Sequence, residues 1–222
     1  MSRTIFKVPI ELIPRNEDGI PQFLPIVCTF IKQNASMEGI FRKSGSPSMV
    51  LEVNERLAQH FPSLPERATV YDVATFLKQW LLYLPNAIID PSIINQYTQN
   101  NNPSSVEKVI NHIPYLNRLC LIYLFDMLKS IVDLSSINLM TLDNMMTCFC
   151  FSLTQKMKNL EKPFYFRHFY QIINTQYAPL EIYGLIAMDD SSSDTDPDVT
   201  NFHRPHPNIE ISNRRMALAI QT

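Results

Sequence analysis

The chain has 222 residues, 45% apolar and 18% charged, a globular composition with enough length for one large domain and a buried core. Nineteen lysines and arginines against 21 acidic residues give a net charge of −2, which supplies no electrostatic footprint for nucleic acid or an anionic membrane. Four glycines beside 16 prolines argue against glycine-rich phosphate loops and turn-rich β-barrels, and so against an ATPase or a dinucleotide enzyme.

No apolar run approaches the roughly 20 residues of a membrane-spanning helix. The first residues lack an apolar leader, Ser2 stands where myristoylation needs glycine, and Ala219-Ile220-Gln221-Thr222 is not a prenylation signal. A soluble, cytoplasmic chain is expected. Cys28, Cys120, Cys148 and Cys150 lie in apolar segments without Cys-x-x-Cys spacing, as buried thiols of a reducing compartment do.

In chain order, Phe23, Ile26, Val27, Phe30 and Ile31 recur at helical spacing and predict a helix over 22–34, with Pro25 early, where a missing N–H does no harm. Residues 35–46 read as a loop. Ser46-Pro47 then reads as an N-cap and first helical residue, opening a helix through Val50, Leu51, Asn54 and Leu57 to about His60. Thr69-x-x-Asp72 resembles a capping box, and Val73, Phe76, Leu77, Trp80, Leu81 and Leu84 follow at i, i+3, i+4, i+7, i+8 and i+11. Thr75, Lys78, Gln79 and Leu82 fall on the opposite face, and Leu84-Pro85 ends the helix.

Beyond a polar, Asn/Gln-rich connection, Ser104–Ile113 predicts a short helix. The run Leu116, Leu119, Cys120, Tyr123, Leu124, Met127, Leu128, Ile131 is apolar over half a circumference and predicts a central buried helix. Asn138-Leu139-Met140-Thr141 leads into a helix whose inner stripe is Leu142, Met145, Met146, Phe149 and Leu153, with Asn144 roughly opposite. A last aromatic-rich helix is expected over about 163–174, and no strand series of period two competes. From residue 188 the composition turns acidic and serine-rich, which reads as a disordered tail over 188–222. Its six carboxylates against three arginines leave residues 1–187 at +1.

Most catalytic motifs are missing. There is no Gly-x-Ser-x-Gly, no Walker loop and no His-Glu-x-x-His, and His203-x-x-His206 lacks further metal ligands. What remains is an arginine on an interhelical loop, a lysine on a polar helix face and two asparagines. By spacing alone each is equally a solvated or capping residue.

The residues around them carry more. Glu38-Gly39-Ile40-Phe41-Arg42-Lys43-Ser44-Gly45-Ser46 resembles the arginine-finger loop of the RhoGAP domain family. Asp72-Val73 through Leu77-Lys78-Gln79-Trp80-Leu81-Leu82-Tyr83-Leu84-Pro85 is similar to that family's lysine-bearing helix, and Asn138-Leu139-Met140-Thr141-Leu142-Asp143-Asn144-Met145 to its Asn-Lys-Met-Thr-x-x-Asn-Leu segment. The three motifs stand in the family's order, and with Val8-Pro9 at the start the resemblance covers about residues 5–180.

The resemblance implies an all-α, single compact domain over 5–180 that docks, as a monomer, on a GTP-bound Rho/Rac-type small GTPase. It implies that Arg42 is a finger neutralising charge on the transferring phosphoryl group, an effect of about 10³–10⁵ in kcat when supplied in trans. Lys78 would contact the partner's switch region, Asn144 would hydrogen-bond there, Asn138 would support the groove, and Gly39 and Leu82 would face the partner. GTP and Mg²⁺ would be held by the GTPase, so the domain would be an activator with no cofactor of its own rather than an enzyme. Three positions depart from the pattern: Leu82 replaces a second arginine, Leu139 a lysine, and Cys150-Phe151 a Gly-Pro. A module that binds a GTPase without accelerating it is the alternative that Leu82 favours.

Overall fold

The structure is a computed structural model that describes residues 3–97, 103–155, 167 and 170. Its regular elements are α1 (Phe23–Gln33), α2 (Pro47–Leu57), α3 (Val70–Tyr83), α4 (Pro91–Tyr97), α5 (Pro103–His112), α6 (Tyr115–Asp133), α7 (Ser135–Asn138) and α8 (Leu142–Thr154), preceded by a 3-10 turn at Ile10–Leu12. Among the described residues the only paired extended backbone is an isolated bridge between Arg15 and Pro21. The fold is all-α, as the 3.6-residue periodicity predicts. The helix expected over 163–174 falls outside the described residues except for Arg167 and Tyr170, both helical. The tail over 188–222 lies wholly outside them.

Helix α3 is the hub, with α1, α2 and α8 packed on it, while α6 packs on α1 and α8. The stripe read from the sequence is the one buried: Val73, Phe76, Leu77, Trp80 and Leu81 are all fully enclosed. Phe23 of α1 meets Trp80 edge-on at 4.9 Å and Phe76 at 5.9 Å, and Phe6 stacks on Phe76 at 5.5 Å. Each such side chain contributes about 1.5–3 kcal/mol through burial. The indole N–H of Trp80 finds no acceptor in this cluster. Helix α6 is enclosed on most sides, as its broad apolar surface predicts. All four cysteines are free thiols, and desolvation pushes that of Cys120 up to about 12 and that of Cys28 higher still.

Three local differences from the sequence reading have physical causes. Helix α2 packs on α3 and buries only the narrow stripe Val50, Val53, Asn54 and Leu57, so Leu51 faces outward at 57% exposure. Asn54 is buried because its amide oxygen accepts from the Ile5 N–H (3.1 Å) and its amide nitrogen donates to the Thr4 hydroxyl (2.9 Å), fastening the amino-terminal segment. Ser46 occupies the N-cap position, but its hydroxyl pairs with that of Ser48 rather than capping the helix. Finally, α4 replaces part of the expected polar connection. The Asp90 carboxylate accepts from the Ser92 N–H (2.8 Å) ahead of Pro91, an N-cap signature present in the sequence.

The capping box at the start of α3 is complete. The Asp72 carboxylate accepts from the Thr69 N–H (2.8 Å) and hydroxyl (2.6 Å) through Oδ2 and from the Ser46 N–H (2.7 Å) through Oδ1. Burial alone would raise this carboxyl; the bonds from Thr69 and Ser46 outweigh it and hold it below the usual carboxylate range. A folded value below the unfolded one means that its stabilisation is present above the ordinary carboxylate pKa and is lost as pH falls through the folded value. The gap in thermal midpoint between the wild type and Asp72→Asn should therefore narrow as pH falls from ~6 to ~3. A pH-independent gap would contradict the ionic role.

Candidate functional site

Residues 35–46 run from α1 to α2 as a chain of turns built around one inward and one outward side chain. Gly39 has φ +74°, a region glycine enters freely; its carbonyl accepts from the Arg42 and Lys43 N–H groups, both at 2.9 Å. Phe41 also has a positive φ, 68°, which a residue with a β-carbon holds only when its surroundings impose it. Those surroundings are on the core side, where the ring is fully buried and meets Phe149 of α8 at 5.0 Å. With Phe41 turned inward, the next side chain, Arg42, is turned out.

The loop is fastened along its length. The Gly39 N–H donates to the Asn138 carbonyl (2.8 Å), and the Tyr71 hydroxyl donates to the Glu38 carbonyl (3.0 Å). Lys78 Nζ donates to the Phe41 carbonyl (2.6 Å), and the Gly45 N–H donates to Thr75 Oγ1 (2.9 Å). Gly45 must lack a side chain, since a β-carbon there would lie 2.4 Å from the Asp72 Cα. Tyr71, Thr75 and Lys78 recur at i, i+4 and i+7, so one face of α3 supplies three of these bonds.

Arg42 is about half exposed, with Glu38 Oε1 at 3.4 Å; Glu38 also faces Lys43 at 3.2 Å. Exposed pairs of this kind contribute about 0–1 kcal/mol, so the guanidinium is held lightly. Lys78 is half-buried; desolvation lowers its ammonium from the ordinary value, and nearby Cys148 acts in the opposite sense.

Asn138 is fully buried. Its amide nitrogen donates to the Ala35 and Ile131 carbonyls, both at 2.7 Å, and its amide oxygen accepts from the Met140 N–H at 2.7 Å. It is therefore a fastener beneath the loop, presenting no side chain outward. Asn144 is half-buried, and its amide donates to the Leu139 carbonyl at 2.8 Å. Leu82, one turn beyond Lys78, is half-buried on the side of α3 away from the core stripe. Arg42, Lys78, Asn138 and Gly39 are thus joined through one hydrogen-bonded unit, and Asn144 adjoins it through Leu139. Sequence reading missed Phe41, Tyr71 and Thr75; the spacing of the last two with Lys78 was the available signal. Among the described residues no three His, Cys, Asp or Glu side chains converge to hold a metal ion.

The profile of the RhoGAP domain matches residues 21–158. This chain belongs to the RhoGAP domain family. Among its relatives, Rho GTPase-activating protein gacC of Dictyostelium discoideum is 31% identical over 157 residues, covering 66% of this chain and 39% of the relative. Rho-GTPase-activating protein 5 of Schizosaccharomyces pombe is 31% identical over 168 residues, covering 65% of this chain and 45% of the relative. The chain thus spans less than half the length of these two relatives. The crystal structure of human Rho GTPase activating protein 15 shares the fold, with a TM-score of 0.66 at 20% identity over 81% of this chain and 92% of that one.

The two asparagines of this RhoGAP domain separate in their effect on stability. Asn138→Ala leaves the Ala35 carbonyl and the Met140 N–H without partners in a buried setting, while the Ile131 carbonyl keeps the Leu134 N–H. At about 1–3 kcal/mol for each orphaned group it should lower stability by about 2 kcal/mol or more. Asn144→Ala releases only the Leu139 carbonyl and should cost about 1 kcal/mol. Urea denaturation of both variants checks this; equal losses would contradict it.

Proposed function

We propose that this domain docks as a single copy on a GTP-loaded Rho/Rac-type small GTPase and accelerates hydrolysis by inserting Arg42 as a finger. The observation that carries the reading is the combination at Arg42: a lightly held guanidinium on a backbone fastened on both sides and anchored by the buried Phe41 ring. A guanidinium delivered by a preorganised loop neutralises charge on the transferring phosphoryl group without first ordering its own backbone. GTP and Mg²⁺ belong to the GTPase, whose active site performs the hydrolysis. The domain is an activator and brings no cofactor.

Lys78 has two tasks in this reading. One donor holds the Phe41 carbonyl, and the ammonium, which has three, keeps others for the partner's switch region. Asn144, joined to the same unit through the Leu139 carbonyl, hydrogen-bonds with the partner, and Asn138 keeps the groove in shape from below. In this reading the domain extends over 5–180, and 188–222 lies beyond it. A cytoplasmic setting, which keeps four free thiols reduced, fits this role. Among the described residues no helix is long and apolar enough to cross a membrane.

The deciding assay is single-turnover hydrolysis across Rho-, Rac- and Ras-type GTPases, paired with direct binding. Arg42→Ala should abolish acceleration, a loss of about 10³-fold or more, with binding nearly intact, because a finger acts mainly on the transition state. Equal loss of binding and rate would exclude the finger, and a wild type that binds without accelerating would establish the binding-only module.

Leu82 tests how firmly the loop is held. Leucine donates no hydrogen bond, whereas an arginine one turn beyond Lys78 would donate several. Leu82→Arg should raise the saturating rate and change stability by no more than about ±0.5 kcal/mol. An unchanged rate would mean that the existing bonds already order the loop.

A further inference from the structure

The segment leading to Arg42 is bordered by apolar side chains that the core does not use. Met37 is 43% exposed, Ile137 60% and Leu139 48%. Met37 lies between Ala35 and Gly39, and both of these are bonded to Asn138: its amide nitrogen donates to the Ala35 carbonyl, and its carbonyl accepts from the Gly39 N–H. Ile137 and Leu139 are the chain neighbours of Asn138. Two short segments joined through Asn138 thus carry three large, exposed apolar side chains at the base of the Arg42 turn.

Leu139 carries an independent mark. Its φ of 59° and ψ of 22° are left-handed, a conformation that disfavours a residue with a β-carbon by about 1–2 kcal/mol and that asparagine or glycine enters more readily. The turn is held from both sides, since the Leu139 N–H donates to the Ser135 carbonyl (3.0 Å) and its carbonyl accepts from Asn144 (2.8 Å). For folding alone, asparagine would serve better here. A leucine only about half covered in this turn gains little burial for its backbone cost, as a side chain kept for an external contact does.

We infer that Met37, Ile137 and Leu139 form an apolar docking patch that seats on an uncharged, apolar surface of the partner GTPase next to its nucleotide. This rests on the reading of Arg42 given above. Two observations select that occupant. The patch is continuous with the loop that presents Arg42, through the Gly39–Asn138 hydrogen bond. Its charged border, Arg42 and Lys43 against Glu38, carries one net positive charge, which complements phosphate anions bordering an apolar surface. A second copy of this chain would bring the same positive border against itself. The contact is apolar, so its contribution to affinity should change little with ionic strength.

The test measures binding of the full chain to GTPγS-loaded Rho- and Rac-type GTPases, together with the half-saturating concentration in single-turnover hydrolysis. Leu139→Asn suits the left-handed turn and should keep or raise the thermal midpoint while weakening binding about fivefold; adding Ile137→Thr and Met37→Gln should weaken it about thirtyfold. Leu51→Asn, an equally exposed leucine on α2, should change binding less than about twofold as a control for general surface apolarity. Affinity unchanged in the triple variant, with Arg42→Ala still abolishing acceleration, would overturn the patch and leave the finger standing. A wild-type chain that binds none of these GTPases would overturn both. Self-association lost in the triple variant with GTPase affinity retained would assign the patch to a second copy and overturn the proposal. Should the triple variant unfold, Leu139→Asn alone decides.

Discussion

One carboxylate joins the parts of this domain that the proposed site needs. Asp72 closes the amino-terminal end of α3 through Thr69 and, with its other oxygen, takes the N–H of Ser46 at the amino-terminal end of α2. Both helix starts carry partial positive charge and unpaired N–H groups, so a single buried anion satisfies two termini at once. The Arg42 loop ends where they meet, and Gly45 is the residue that lets it pass against the α3 backbone. The direction in which the loop leaves α1 is set by Asn138, but the place where it must arrive is set by Asp72.

Between those two points the loop combines rigidity of backbone with freedom of side chain. Its carbonyls and N–H groups are taken up by Tyr71, Lys78, Thr75 and the Asn138 backbone, and the Phe41 ring is locked into the core. The Arg42 side chain, by contrast, has only a weak exposed pairing. A group meant to enter another protein's site gains from this division, because the entropy of ordering the backbone is met during folding and only a few side-chain rotamers remain to be fixed on docking.

How much of this was legible in the sequence follows from how local each feature is. The stripe and capping box of α3 are written within 16 residues and were read correctly, as was the broad apolar surface of α6. Leu51 misleads because an apolar residue at helical spacing does not reveal how narrow the neighbouring contact is. Arg42, Lys78, Asn138 and Asn144 stood out through motif resemblance. The bonds that make them one unit did not, because Asn138 reaches a carbonyl 103 residues away and Lys78 one 37 residues away. Such pairings leave no period in the sequence. The same applies to Phe41, whose positive φ is imposed by a pocket that forms only when α8 is in place.

The aromatic cluster of α3 also has an optical consequence. Trp80 is the chain's sole tryptophan, fully enclosed beside Phe23, and its indole N–H has no acceptor. An indole in so dry a setting emits toward the blue, and all of the chain's tryptophan light comes from the helix that also carries Asp72, Thr75 and Lys78. The domain therefore holds its own unlabelled probe of the element on which its loop is mounted, responsive to any loosening of that helix.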